Sequence, residues 1–185
     1  MKKSIVIALL TAPLMAGVAS AQTKVVNKAV TESEVLAAQK GWCSALVNIS
    51  DTFATKGLPA AKQLAAKVVD EAYGYQLGAV LFKPTLAAAP QSFRTTREGA
   101  ISYFVGGDQA FPHDHGFATK NWKQCDIQNA AIFIAGDTAT TMGNVKFTDK
   151  DGKVTIVDKT WEFLKDNGGK MRIMVHHSSL PFVGD

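Results

Sequence analysis

From Trp122 onward the chain alternates apolar and polar residues with little interruption. The segments WKQCDIQ, AAIFIA, TATTMGNVKFT, KVTIVDKTWEFLK and KMRIMVHHSS follow one another, parted by the turn sequences AGDT, DKDG and DNGG. A period of two sends successive side chains to opposite faces of a strand, and short turns bearing Asp and Gly return the chain antiparallel. The second half of the protein therefore reads as a meander of four or more strands. One face of that sheet is apolar and must be covered.

The first half supplies the cover. Thr31 and Glu34 stand at capping-box spacing, and Val35, Trp42, Leu46, Ile49 and Phe53 recur on one helical face. A second helix is expected over 59–72, with Ala61, Leu64, Ala65, Val68 and Ala72 inward, Pro59 near its start and Gly74 beyond its end. AVLFK, residues 79–83, reads as a short strand stopped by Pro84. Thr95 and Glu98 form a second capping box before TREGAISYFV, which stops at Gly106 and Gly107. Helices first and a meander last indicate an α+β domain, with about three helices under a curved antiparallel sheet and a concave pocket between the layers.

The first residues are an address. Lys2 and Lys3 precede an apolar stretch from Ile5 to Met15, and Ala19-Ser20-Ala21 is a small-x-small cleavage site, so residues 1–21 read as a secretory signal peptide. The stretch is shorter than the roughly 20 residues a spanning helix needs. A periplasmic domain of residues 22–185 is expected, with no membrane attachment after cleavage. Losing Lys2 and Lys3 lowers the formal charge from +4 by two. So small and scattered a charge excludes a nucleic-acid binder. Cys43 and Cys125 match no zinc or CxxC pattern, which leaves a bridge or two buried thiols.

The last strand ends in MVHHSSLPF, residues 174–182. Met174, His176 and Ser178 share one face; Val175, His177 and Ser179 share the other, with Met171 and Ile173. Alternation does not say which His/Ser pair meets the pocket. A second group, PHDHG at 112–116, offers His113, Asp114 and His115, but an H-x-H in a turn-rich loop reads as a solvated loop rather than a metal site. Asp149 to Gly152 is a hairpin turn, lacking the downstream Glu of a calcium loop.

The order of elements and the terminal histidine-serine strand resemble the nuclear transport factor 2 superfamily, cones of sheet and helix that include the association domain of calcium/calmodulin-dependent kinase II. More narrowly, FKPTLA at 82–87, FRTTREGAISYFVGG at 93–107, GFA at 116–118, TMGNV at 141–145 and HHSSLPF at 176–182 are similar to the iota-class carbonic anhydrases. The resemblance implies carbon dioxide and bicarbonate as substrates, no required metal or other cofactor, and a homodimer packed sheet to sheet. It implies a site of Thr85, Tyr103 and Ser178 contacting bicarbonate, with His176 nearby. Val175 stands where some relatives carry a third consecutive histidine.

These residue types suit the reaction. Without a metal, a neutral base must take the water's proton during attack, and histidine has an unperturbed pKa of about 6.5. The three hydroxyls can orient water and donate to carbonate oxygens. Two other readings stay open: a non-catalytic ligand-binding cone, since the fold hosts many functions, and an isomerase or dehydratase, which needs a larger apolar cavity and an acid-base carboxylate.

Overall fold

A computed structural model of the chain describes residues 28–184; the signal peptide reading of residues 1–21 lies outside them. Helix α1 spans Glu32–Ala72, with Thr31 accepting from the Glu34 amide and Glu34 answering the Thr31 amide. The two helices expected here are joined end to end across Gly57, whose φ of 77° breaks the ladder two residues before Pro59. A positive φ is open to glycine without steric cost, so the bend falls where the sequence allows it. Val35, Trp42, Cys43, Leu46 and Ile49 are buried before the bend, and Ala61, Ala65 and Val69 after it. Among the described residues no helix is long and apolar enough to cross a membrane.

Strand β1 is Leu81–Lys83 and helix α2 is Arg97–Val105. The α2 cap is Thr96, which accepts from the Gly99 amide; this corrects the expected Thr95–Glu98 box by one residue, and Glu98 no longer stands at the position that reaches back. A short 3-10 turn at Phe117–Thr119 leads into β2, Trp122–Ala135, followed by β3 Thr138–Asp149, β4 Val154–Lys165 and β5 Met171–Ser179. WKQCDIQ and AAIFIA are one strand, carried past Asn129 by a bulge rather than a turn. Gly143 faces that bulge across the ladder, where an added Cβ would fall 2.1 Å from the Gln128 carbonyl oxygen.

The curved sheet has the order β1-β5-β4-β3-β2. It is mixed, not purely antiparallel, because β1 pairs parallel to β5. That pairing needs a long return path, which the meander and helices provide. The helices lie on the inner face, where Val145, Phe147, Val157, Trp161, Phe163 and Ile173 close the core against Trp42, Tyr73 and Phe104. Cys43 on α1 is bonded to Cys125 on β2, with the Cα atoms 5.3 Å apart, so the helix layer is tied to the sheet.

Candidate active site

The parity left open in the last strand is settled by a bulge. Glu162 of β4 pairs with Val175 and Phe163 with Ile173, so Met174 is an extra residue on β5. An extra residue reverses the alternation beyond it, and bulges commonly re-aim a side chain in this way. Ile173 faces the core below the bulge; above it His176 and Ser178 face inward, both about 1 % exposed, while His177 is exposed. The end of α1 grips the same place. The Gly74 amide donates to the Ile173 carbonyl at 3.0 Å, and Met174 packs over Gly74 where a Cβ would meet its sulfur at 2.2 Å.

Tyr73 thereby lands beside His176. Its hydroxyl lies 2.8 Å from His176 Nδ1 and accepts from Trp42 Nε1 at 3.0 Å. The other ring nitrogen, Nε2, lies 2.7 Å from Lys159 Nζ. Phe82, paired with His176 across the parallel ladder, stacks on the imidazole at 4.3 Å between ring centroids. Burial above all holds the His176 pKa well below 6.5, and protonation of Lys159 or His177 would lower it further, so the ring is neutral. Burial draws Lys159 down to about 7.

Pro84 cannot continue the ladder of β1, and the chain turns there to present Thr85. Thr85 Oγ1 and Ser178 Oγ are 2.5 Å apart. Tyr103 points inward from α2, its ring between Phe82 and Phe117 and its hydroxyl interacting with Thr85; burial pushes its pKa up. Thr85, Tyr103, His176 and Ser178 thus line one cavity, with Trp42, Phe82, Pro84, Phe104, Phe117 and Lys159 completing its wall. Its volume is about 10 Å³, near the least that admits one water. Larger clefts of about 560 and 660 Å³ lie open on the surface and contain none of the four residues.

The 112–116 loop is not wholly solvated. Asp114 turns inward to an ion pair with Arg94 at 2.7 Å, both side chains at 3 % exposure or less, while His113 and His115 face out. The two histidines and the carboxylate therefore diverge, and among the described residues no group of three potential ligands converges on a metal position. The sequence reading missed Tyr73, Trp42 and Lys159. The last carried a signal, for in β4 it occupies the buried row of Val157, Trp161 and Phe163.

Comparison with known proteins shows the family. Residues 33–180 match the family model described as metal-independent carbonic anhydrase. The chain belongs to the metal-independent carbonic anhydrase family. It is 66 % identical over 163 residues to the metal-independent carbonic anhydrase of Nostoc sp. (strain PCC 7120), covering 88 % of this chain and 80 % of that protein. The crystal structure of a cyanobacterial iota-carbonic anhydrase complexed with bicarbonate superposes with a TM-score of 0.86 at 65 % identity, over 89 % of this chain and 100 % of the other. A calcium/calmodulin-dependent protein kinase II association domain structure from Xanthomonas campestris follows at a TM-score of 0.53 and 25 % identity, over 86 % and 97 % of the two chains. The protein is a carbonic anhydrase, and the wider cone fold is shared with association domains.

Proposed function

We propose that this carbonic anhydrase hydrates carbon dioxide in the cavity at the end of β5, with the hydroxyls of Thr85, Tyr103 and Ser178 holding the attacking water and the carbonate oxygens. The observation that carries the reading is their convergence, with His176, on a space the size of one water. Three hydroxyls can each donate or accept, so the same set serves a neutral water before attack and an anion after it. Base catalysis on the His176 side of the cavity contributes roughly 10² to 10⁴ in rate. His176 is held at both ring nitrogens, so the base is best described as the His176–Lys159 couple, not the imidazole alone.

An isomerase or dehydratase fits poorly, since among the described residues no carboxylate lines the cavity to serve as its acid-base group. Bicarbonate bound in the cyanobacterial relative supports the choice of ligand. The expected periplasmic location is supported by the Cys43–Cys125 bridge, which an oxidising compartment permits. A homodimer joined through the sheet is supported by Phe133 on β2, Met142 on β3 and Ile156 on β4, which stand exposed on adjacent strands.

The test is ¹³C-labelled bicarbonate titration followed by NMR. Binding by the wild type that is weakened at least tenfold in Thr85→Ala and Ser178→Ala supports this cavity. Equal binding by wild type and both variants would place the ligand elsewhere.

A further inference from the structure

Lys159 is the buried titratable group for which the sequence reading gave no role. It is 5 % exposed, in a strand row otherwise made of Val157, Trp161 and Phe163. A lysine in such a row is ordinarily matched by a carboxylate. Among the described residues none lies within ion-pairing distance of it. Its Nζ instead sits 4.7 Å from the Trp42 ring centroid, 5.2 Å from that of Trp161, and 2.7 Å from His176 Nε2.

Counting donors and acceptors decides its resting state. Indole N–H only donates, so Tyr73 oxygen accepts from Trp42, and the Tyr73 proton goes to the acceptor beside it, His176 Nδ1. The neutral ring then carries its own proton on Nε2, and the atom in reach of it is Lys159 Nζ. An ammonium has no lone pair to accept with; a neutral amine has one. A charged Lys159 would reverse the chain and leave the buried Tyr73 proton without an acceptor. With the uncharged amine, each bond of the chain has one donor and one acceptor.

Resting on the cavity assigned above, we infer that Lys159 is a catalytic residue: the amine that takes the water's proton while His176 positions it. As the water oxygen bonds to carbon dioxide, one water O–H bond breaks and its proton passes to Nζ. The cavity then holds bicarbonate beside an ammonium ion, with no net charge created in the closed space. The Nε2–H released by the amine is free to donate to the new anion. A lysine pulled to about 7 by burial returns the proton to buffer near neutral pH. The titratable groups around it are His176 on β5, Tyr73 at the end of α1 and Tyr103 on α2, with His177 on the outer face of β5. Neither Tyr73 nor Tyr103 titrates in the working range, because burial raises both.

The experiment compares wild type with Lys159→Met, Lys159→Arg and His176→Gln in chelated buffer. Stopped-flow hydration is recorded from about pH 5 to about pH 10, lysine Cε resonances are followed by NMR over the same span, and bicarbonate binding is titrated separately. Wild-type kcat/KM is expected to rise with pH about an inflection near 7, with one lysine titrating at the same midpoint. Lys159→Met and Lys159→Arg are expected to lose roughly 10² to 10⁴ in kcat together with the inflection, while the cationic Arg variant still binds bicarbonate. Lys159→Met activity within tenfold of wild type with the inflection intact would overturn the inference. So would an assigned Lys159 resonance titrating near the ordinary 10.4, which also decides the matter if the variants do not fold. Loss of activity in His176→Gln with Lys159→Met unaffected would give the base to the imidazole and leave the cavity standing. Variants at Thr85 and Ser178 that keep full activity would instead remove the cavity itself.

Discussion

Replacing Tyr73 with Phe removes one oxygen and leaves two buried groups facing it. Trp42 Nε1 loses its acceptor at 3.0 Å and His176 Nδ1 its partner at 2.8 Å, both beside side chains packed out of solvent. An orphaned buried polar group costs about 1 to 3 kcal/mol, so two come to about 4 kcal/mol. The ring itself keeps its contacts with Phe82 and Phe104, and no cavity of consequence is added. At about 2 to 4 °C per kcal/mol for a domain of this size, Tm should fall by roughly 8 to 16 °C. Calorimetry beside urea unfolding measures this. In Trp42→Phe/Tyr73→Phe one of the two orphans is gone, so the polar part of the loss should be less than the single variants suggest. A loss below about 1 kcal/mol in Tyr73→Phe would refute the chain of hydrogen bonds on which the neutral amine rests.

Four further outcomes follow from the same structure. Breaking Cys43–Cys125 opens a loop with a sequence separation of 82, worth about 4.5 kcal/mol in the chain-entropy model, so urea midpoints with and without reductant should separate clearly while the folded reduced protein stays active. Asp114→Asn strands the buried Arg94 guanidinium and should cost about 3 to 5 kcal/mol in chemical unfolding, where a loss under 1 kcal/mol would contradict the buried pair. Gly143→Ala drives a Cβ against the Gln128 backbone and should cost about 3 kcal/mol, read as a fall in Tm. Lys159 has a folded pKa near 7, below its unfolded value of about 10.4, so the unfolded chain binds the extra proton between them and stability should rise with pH across that window, by up to about 1.4 kcal/mol per unit. Lys159→Met should flatten that slope.

The elements that repeat a simple period were legible in the sequence. The Thr31–Glu34 box opens α1 as read, and the β3 and β4 segments form strands at nearly the expected positions. Irregularities were not legible, because nothing in an alternation announces an extra residue. The bulge at Met174 reverses the faces of β5, so Ile173 and His176 share the core although strict alternation separates them. The bulge after Asn129 likewise turns two expected strands into one. Thr85, Tyr103, His176 and Ser178 come from three distant segments, and only resemblance linked them before the fold brought them to one cavity. Lys159 stood in plain view as a cation in an apolar row. Its meaning depended on which row faced inward.

The most direct test of the central claim is stopped-flow carbon dioxide hydration by the protein after exhaustive chelation, with Tyr103→Phe and Ser178→Ala run beside it. The cavity account predicts wild-type turnover that survives chelation and falls by roughly two or more powers of ten in each variant, with both still folded. Turnover that disappears on chelation and returns with added metal, or that is unchanged in both variants, would contradict it.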